Sequence, residues 1–582
     1  MANKNNKKEG IKLSFDGAAG VNTQKSHGMS PCAVDITNFR ILPDGSLKKR
    51  DGYKKILTTD QSIRAIWSGY IANEFLCFIL AEQNVYAVDL TDGYFTDYGE
   101  IETQYDPAKF FYMRDALYLI DGYYIYKIEY RNITIQEGYV PLLGKDWHTG
   151  YPGEIHEPLN ILNPHARITY LAEENCSQYL STMYTAGSID AVYKNGVLLS
   201  SSSYSYNSDE NLISVRNISP GDRLEVNVTF MEYDTSERQS LLSCHDAHVF
   251  GGINSSRLFL WNGYEQNTVF PSSYVSNKAL EASKNRYPDS NHLYFRPGDQ
   301  FVVGDGKYSV MAMARHYDRL LIFTQGDTWM ADTSACGTEE FPVMNINSAV
   351  GCASFGGATV AGNLPMCINP HGIFAWTSDT DELNECNAYS ISKPIDQLIQ
   401  QGFLHSAVAF YDRKHREVWF HEPDGDEIVW VYNLDHRAWT KFSGINAYYF
   451  FEDQNGNVGF VDEYSVYIFS DENTQDIADT SRNNIIASID SGIYDFYEPQ
   501  YKKIHAVTCR ADRNSTSSSF TISTDRGETI NLSFGNQGYV TVGDHKIIRR
   551  AARSHRLKSF SFEFIDRGRD SQILHGFEIE VR

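Results

Sequence analysis

Short apolar runs with alternating polar positions, separated by turn residues, dominate the chain and predict β-strands. Residues 73–93 show the pattern: two apolar runs flank a polar turn, and an Asp-Gly pair ends the unit. Helical periodicity is nearly absent. The best helical candidate is 392–403, with Ser392 as the N-cap and Gly402 as the stop. The pattern therefore predicts an all-β protein with one short helix.

The same unit of strand, polar turn, strand and aromatic-ended strand recurs along the chain. A repeat of strand meanders every ~40–50 residues is typical of a β-propeller, because radial stacking hides the faces of each sheet. The sequence predicts about seven blades, with a possible irregularity, and carries no WD or kelch signature. The candidate blades are 73–93, 108–130, 248–273, 308–333, 358–378, 406–442 and 447–471.

Two segments do not follow the repeat of strand meanders. Residues 187–230 contain an Asn-Gly hairpin turn, a Ser-rich stretch and a Pro-Gly-Asp turn, which predict a small inserted β-sandwich. Period-two strands beyond residue 490 predict a second sandwich, separated from the last blade by a polar linker at 471–484. The predicted domains are an N-terminal arm with a docking hairpin (1–57), the first part of the propeller (58–160), the inserted small β-domain (161–235), the second part of the propeller (236–480) and the C-terminal β-sandwich (481–582).

Composition supports folded β-structure and limits the partners. The 582 residues include 38 Tyr and 32 Phe, an enrichment that suits half-buried strands. The formal net charge of −23 argues against a protein that coats nucleic acid, because binding to phosphates needs clustered cations. An acidic surface remains compatible with DNA as a passing cargo.

The nine cysteines are scattered and contain no C-x-x-C pair, which predicts buried thiols in a reducing compartment. The first ten residues are basic but lead into no apolar segment, so no secretory signal is expected. No apolar run approaches the ~20 residues that span a bilayer. We expect a soluble protein that is synthesised in a cytoplasm and has no membrane span.

Two short motifs resemble ligand sites, and each has a simpler explanation. Residues 304–309 contain Lys307 and Ser309, as a phosphate-binding loop does, but Phe301 stands where that loop needs glycine. A hairpin turn is the expected structure. His245 and His248 have a metal-binding spacing only on a helix, whereas their context here is strand and turn.

Acidic side chains at 421–427, namely Glu422, Asp424, Asp426 and Glu427, could hold calcium, although an acidic β-turn explains them equally well. Residues 523–530 look like a single Asp-box turn, in which Asp525 bonds its own backbone. No nucleophile elbow and no His-Glu-x-x-His motif occurs. The sequence predicts no enzymatic activity, no cofactor and no metal.

The N-terminal segment 13–56 reads LSFDGAAGVNTQKSHGMSPCAVDITNFRILPDGSLKKRDGYKKI. It resembles the N-terminal signature of the tail nozzle, or type B tail tubular, proteins of short-tailed bacteriophages and of related propeller-bearing tail proteins. Segments 318–332, 350–378 and 193–228 also look like parts of phage structural proteins. The positions that carry the resemblance are Gly20, Asn22, Thr23, Asp35, Asn38, Gly45, Ser46, Arg50 and Gly52.

The resemblance implies a virion protein, a structural subunit that forms a homo-oligomeric ring, with a hexamer as one option, around the tail axis. Its neighbours would be an adaptor or portal-side protein above and distal tail or fibre proteins below. DNA would leave through the ring past an acidic lining. The N-terminal arm would dock on a neighbouring subunit or on the adaptor.

In this reading the basic turn offers cations to an acidic partner subunit, since the arginine fork suits carboxylates. The candidate subunit-interface residues are Asn38, Lys48, Lys49, Arg50 and Gly52. A solvated basic hairpin without function is the alternative. For the whole protein, a receptor-binding or glycan-binding adhesin is the main alternative, and a tail-associated glycan hydrolase is the third.

Overall fold

The structure is a computed structural model of the 582-residue chain. It describes all residues except 1–10, 16, 105–106, 175–176, 232–234, 251–256, 274–292, 333–341, 378–386, 400–405, 424, 498–499, 513–516, 535–538, 543–544 and 570–571. Among the described residues, no helix is long and apolar enough to cross a membrane.

Seven four-stranded antiparallel units form the blades of a propeller; five are separate sheets, and those of blades 6 and 7 are parts of larger sheets. Blade 1 consists of Ile63–Ile71, Glu74–Ala81, Asn84–Val88 and Phe95–Glu100; blade 2 of Lys109–Met113, Ala116–Ile120, Ile125–Glu129 and Asn132–Ile135; blade 3 of Asp246–Phe250, Arg257–Trp261, Thr268–Pro271 and Phe301–Val302. Blade 4 consists of Val310–His316, Arg319–Thr324, Thr328–Asp332 and Val343–Asn347; blade 5 of Ala358–Ala361, Leu364–Asn369, Gly372–Trp376 and Ala388–Ser390. Blade 6 consists of Val408–Asp412, Glu417–His421, Ile428–Asn433 and Ala438–Ser443; blade 7 of Tyr449–Glu452, Val458–Val461, Ser465–Ser470 and Gly52–Thr58.

The blades are held together by apolar side chains on both faces of each sheet. The middle strands therefore read as almost continuous apolar runs, as in Glu417–His421, which is buried throughout. Trp419 shows the packing: its ring meets the rings of Phe450 and Phe469 edge to face, at centroid distances of 5.8 and 5.3 Å. Such contacts join blade 6 to blade 7.

The ring closes through a strand from the N-terminal part of the chain. Strand Gly52–Thr58 is the outer strand of blade 7 and pairs antiparallel with Ser465–Ser470, from Thr58 opposite Ser465 to Gly52 opposite Ser470, with one register shift at Val466–Tyr467. Blade 7 thus combines segments about 400 residues apart in sequence, and the closing strand leads directly into blade 1. The hairpin Gln475–Ala478 and Ser481–Asn484 continues this sheet on its outer side.

The inserted domain lies between blades 2 and 3 and has two sheets. The larger contains Leu142–His148, His165–Leu171, Arg223–Phe230, Ala186–Lys194 and Val197–Leu198; the smaller contains Tyr179–Ser181, Leu212–Val215 and Tyr204–Asn207. A 3₁₀ turn, Ser201–Ser203, precedes the last of these strands. The two sheets share one buried core, which includes Trp147, Tyr170 and Val226. The helix Ser236–Leu242, capped by Thr235, leads back into blade 3.

The C-terminal sandwich is built from both ends of the chain. One sheet contains Phe39–Ile41, Leu47–Lys49, Ile573–Val581, Ile504–Ala511, His545–Ala551 and Tyr539–Val542, with Ile11–Phe15 paired to Ile573–Val581. The other contains His27–Gly28, Ile493–Asp495, Ser559–Asp566, Ala487–Ser491 and Ala33–Thr37, with Ser518–Thr524 and Thr529–Ser533 attached. Two 3₁₀ turns, Gly17–Ala19 and Thr23–Lys25, connect the N-terminal strands.

The prediction of an all-β propeller of about seven blades with an inserted small sandwich and a C-terminal sandwich is confirmed. The predicted N-terminal arm is wrong over its described residues, because strands between residues 11 and 49 complete the C-terminal sandwich. The insertion starts at Leu142 rather than at residue 161. The predicted linker 471–484 carries the outer hairpin of blade 7. The predicted helix is described over Asp396–Ile399, and the cysteines that the structure describes are free thiols.

Gly52 begins the closing strand in a place without room for a side chain. A Cβ at this position would lie 2.1 Å from the carbonyl oxygen of Gln475. We expect Gly52→Ala to destabilise the protein by about 1–3 kcal/mol, the usual cost of overpacking, because the closing strand must move away from the hairpin. The measurement is the midpoint of thermal unfolding. Gly187→Ala is the control, because its Cβ would meet its neighbours at 3.6 Å, an ordinary contact distance; equal midpoints for the two variants would contradict the close approach.

Candidate functional site: the junction of propeller and sandwich

The predicted interface residues lie inside the molecule. Segment 38–52 runs between blade 6, blade 7 and the C-terminal sandwich, and connects the strands Phe39–Ile41 and Leu47–Lys49 to the closing strand. Asn38, Lys49 and Arg50 are each no more than 3% exposed. We call this region the junction.

Arg50 holds the centre of the junction. Its Nη1 and Nη2 donate to Asp476 Oδ1 and Oδ2 at 2.8 and 2.7 Å, a bidentate pair. Nη1 also donates to the Asp51 carbonyl, Nη2 to the Ser443 carbonyl and Nε to Asn38 Oδ1, at 3.0–3.1 Å. A guanidinium has five N–H donors, so these five hydrogen bonds satisfy all of them. The buried charge is therefore both neutralised and fully hydrogen-bonded, the condition under which burial is tolerated.

Asn38 connects three parts of the fold through one side chain. Its Nδ2 donates to Ser443 Oγ at 2.9 Å and to the Ile486 carbonyl at 2.7 Å, while its Oδ1 accepts from Arg50 Nε and from the Ser443 N–H. The residue has a φ of 58°, in the left-handed region that asparagine tolerates better than most residues. Ser443 ends blade 6 and Ile486 precedes a sandwich strand, so Asn38 ties the two domains together.

Lys48 and Lys49 differ in their burial and in their partners. Lys49 is 1% exposed; its Nζ donates to the Gly568 carbonyl at 2.7 Å and lies 3.6 Å from Asp566 Oδ2. Lys48 is a quarter exposed and pairs with Asp51 at 2.8 Å. Lys49 thus stabilises the sandwich internally, and Lys48 stands at the rim of the junction.

The predicted subunit interface is therefore wrong for Asn38, Lys49, Arg50 and Gly52, which this chain already buries. A run of cations beside a β-turn normally lies in solvent. Here the neutralising carboxylate of Asp476 stands 426 positions from Arg50 in sequence, so local reasoning could not find it. The junction stabilises the contact between the propeller and the sandwich.

A second buried charge cluster lies beside the first, and no sequence motif predicts it. Arg40 Nη1 lies 3.3 Å from Asp412 Oδ2 and 3.2 Å from Glu417 Oε2, with all three side chains at most 4% exposed. His415 Nδ1 lies 2.7 Å from Asp412 Oδ2. Arg40 belongs to a sandwich strand and its partners to blade 6, so this cluster also joins the two domains.

The pKa values of the two carboxyl groups in this cluster are shifted in opposite directions. Burial raises the pKa of Glu417 from its ordinary 4.5 to about 7, although the charge of Arg40 opposes the rise. Burial also raises the pKa of Asp412, but hydrogen bonding to His415 and the charge of Arg40 outweigh it and leave that pKa lowered. Arg40 is thus paired with Asp412, whose ionised form is favoured, while the charge of Glu417 changes at a higher pH.

Asp51, His415 and Asp471 form a candidate cation site, with one ligand atom from each lying within 4.8 Å of the others. Lys48 already occupies Asp51 Oδ1, and Lys414 occupies Asp471 Oδ2 at 2.9 Å. Two ammonium groups thus face the two carboxylates, so the residues present do not supply the net negative charge that a divalent ion needs.

The other motifs lie apart from one another. His245 Nδ1 lies 2.7 Å from the Pro107 carbonyl, whereas His248 faces the propeller channel, where burial and Lys109 lower its pKa to about 4. Lys307 and Ser309 lie in a surface turn, where Ser309 Oγ donates to Gln266 at 2.6 Å.

The remaining acidic motifs are turns. Glu422, Asp426 and Glu427 follow the second strand of blade 6, and Asp424 lies outside the described residues. Asp525 accepts a hydrogen bond from the Lys558 N–H at 3.2 Å within the sandwich. None of these groups, where described, joins the junction.

The propeller channel is lined by the first strands of all seven blades. Its volume is about 460 Å³ and its wall is mainly apolar, with the polar side chains of Lys109, His248 and Arg315. This is the size of a small-molecule pocket, far too small for duplex DNA. Any DNA path therefore lies outside the propeller of a single chain.

No family model matches the chain, and no curated protein matches it. Solved structures resemble it at low similarity. A chain of a mitotic checkpoint complex is 10% identical, with a TM-score of 0.33, over 72% of this chain and 93% of that one. BBS1N in complex with ARL6DN is 8% identical, with a TM-score of 0.35, over 73% and 97%. The extracellular domain of a hybrid two-component system from B. thetaiotaomicron is 10% identical, with a TM-score of 0.26, over 91% and 78%.

Removing Arg50 should leave Asp476 buried and unpaired. We expect Arg50→Ala to lower the free energy of unfolding by about 3–5 kcal/mol, the typical cost of breaking a buried pair. Urea denaturation followed by tryptophan fluorescence measures the loss. Arg416→Ala is the matched control, because Arg416 pairs with Asp435 at 2.8 Å while 60% exposed, and a surface pair contributes about 0–1 kcal/mol. Equal losses in both variants would refute the assignment.

Glu417 should make stability depend on pH. Its pKa in the folded state is about 7, above its ordinary value, so the folded protein binds more protons than the unfolded chain between pH 4.5 and 7. Stability should therefore fall as pH rises through this window. Glu417→Gln removes this contribution. Urea midpoints of both proteins at pH 5 and pH 8 test it: the wild type should lose stability relative to the variant at pH 8, and parallel changes would contradict the shift.

Proposed function

We propose that this protein is a non-enzymatic structural subunit of a bacteriophage tail, assembled as a homo-oligomeric ring around the axis through which DNA is ejected. An adaptor or portal-side protein and distal tail or fibre proteins are its proposed neighbours. The proposal rests on the resemblance of segment 13–56 to the nozzle signature, and on what the signature positions do in the fold.

The first signature positions fasten the N-terminal segment to the propeller. Gly20 has a φ of 64°, and a Cβ there would lie 2.7 Å from the Trp439 carbonyl oxygen of blade 6. Asn22 caps the 3₁₀ turn Thr23–Lys25, accepting from two backbone N–H groups at 3.1 Å. Thr23 Oγ1 donates to the Pro394 carbonyl at 2.9 Å. The structure therefore gives a specific reason for the residue type at each of these three positions.

The later positions complete the junction. Asp35 Oδ2 accepts from Lys441 Nζ of blade 6 at 2.6 Å. Ser46 donates through its N–H and hydroxyl to Asp44 Oδ1, and Gly45 occupies the turn with a φ of 84°. Together with Asn38, Arg50 and Gly52, these positions fix the propeller on the sandwich. Signature positions with structural roles are expected of a protein that serves as a structural subunit.

The way the domains are joined also suits a building block. Blade 6 and one sandwich sheet are continuous, because Thr37 pairs in parallel with Lys441. The buried pairs of Arg40 and Arg50 cross the same boundary. A boundary held by strand pairing and buried ion pairs resists hinge motion, so the propeller and sandwich act as one body in an assembly.

The charge of the chain fits a DNA conduit. The 74 acidic residues exceed the 51 basic ones, and the buried cations Arg40, Lys49 and Arg50 are paired with buried carboxylates. The acidic excess therefore falls on the remaining residues, and an acidic lumen would repel DNA and reduce its adhesion during ejection.

Electron microscopy tests the proposal directly. We expect the purified protein, or virions labelled with antibody against it, to show a closed ring on the tail axis, with a lumen lined mainly by Asp and Glu. Light scattering should give a mass that is a whole multiple of 66.1 kDa. A monomer at the tail periphery would favour the adhesin alternative, and a lumen lined by Lys and Arg would refute the acidic conduit.

A further inference from the structure

A cleft of about 820 Å³ lies at the seam where blade 7 meets blade 1. Its floor is apolar and contains Ile56, Cys77 and Ile468 from the core between the two blades. Its walls come from the blade 1 strands, the closing strand and the turn at residues 453–457. The cleft is separate from the junction and from the propeller channel.

Aromatic rings form one wall of the cleft. Tyr94 is 70% exposed and Tyr130 is 62% exposed, although both line a concave surface. Tyr98 stands beside Tyr130, with ring centroids 5.5 Å apart and planes at 85°, and is held from below by Phe78 at 4.9 Å. Aromatic side chains that line a concave surface beside polar groups are typical of ligand pockets.

Uncommitted polar side chains form the opposite wall. The turn itself is fixed, because Asp453 Oδ1 accepts from the N–H groups of Asn455 and Asn457 at 2.8 Å. The side chains of Gln454, Asn455 and Asn473 line the cleft, and the structure assigns them no hydrogen bond with described residues. An amide offers both donors and an acceptor, as a sugar hydroxyl requires of its partner.

The charge of the cleft limits the ligand. Glu74, Asp89 and Glu472 line it against the single cation Lys54 among its described lining residues. An acidic cleft disfavours uronic acids, phosphates and nucleic acid. Aromatic faces for the apolar face of a sugar ring, amides for its hydroxyls and a volume within the usual range for ligand sites all suit a neutral saccharide.

We propose that this cleft binds a neutral oligosaccharide, with Tyr94 and Tyr130 as stacking platforms and Asn455 and Asn473 as hydrogen-bonding partners. The site goes beyond the proposed structural role and does not depend on it. It gives a tail subunit a means of contact with a glycan.

Saturation-transfer NMR and calorimetry on the full-length protein test the site. The probes are maltoheptaose and chitohexaose as neutral sugars, a polygalacturonate oligomer as the acidic sugar and an arginine-rich peptide as the competing ligand class. We expect binding of at least one neutral probe and none of the acidic one. Tyr94→Ala and Tyr130→Ala should each weaken that binding roughly tenfold, as the loss of one stacking contact does.

The control is Tyr264→Ala, which removes a tyrosine that is 73% exposed on blade 3 and should leave binding unchanged. All three tyrosines are exposed, so the variants should unfold at the wild-type temperature. Failure of both neutral probes to bind, equal weakening by Tyr264→Ala, or binding of the peptide alone would overturn the proposal. Ring formation is measured independently, so loss of sugar binding in intact rings rejects the cleft and leaves the tail role standing.

Discussion

The fold depends on the burial of one guanidinium. Arg50 loses its water entirely, and the structure compensates by directing five acceptors at it from Asn38, Asp51, Ser443 and Asp476. Removing an ion from water is so costly that these acceptors must all be in place together. They come from the N-terminal segment, the end of blade 6 and the outer hairpin of blade 7, so a single charge coordinates three otherwise separate pieces.

This coordination links closure of the propeller to completion of the sandwich. The closing strand Gly52–Thr58 follows Arg50 directly, and the preceding strands belong to the sandwich. The segment 33–58 therefore cannot leave either domain without disturbing the other.

The residues that stabilise the fold and the residues proposed to bind a ligand lie in different places. Among the positions that carry the resemblance to tail proteins, the buried Asn38 and Arg50 have their polar groups satisfied inside the chain, so they specify the shape of the protein rather than a ligand site. The polar side chains that we propose for ligand binding lie elsewhere, in the cleft between blades 7 and 1. The basic turn is one continuous run of charged residues, which a sequence pattern detects. The cleft is formed by tyrosines and amides from separate segments of the chain, which no local pattern connects.

Local patterns are sufficient for blades 1 to 6, because each is a meander of strands that follow one another along the chain. They miss the outer strand of blade 7, because Gly52–Thr58 lies about 400 residues from its partner Ser465–Ser470. The inserted domain was placed too late, because its first strand, Leu142–His148, pairs in parallel with His165–Leu171 and is irregular in two places, which hides its period. The helix Ser236–Leu242 was missed for a similar reason, since seven residues give too little periodicity. The sequence alone thus determined the all-β class, most blade strands and the approximate number of blades, while the tertiary structure decided how the N-terminal strands pair and the environment of each charge. Coulombic and hydrogen-bonding partners act through space, and Arg50 meets Asp476 across 426 positions of chain that no local pattern spans.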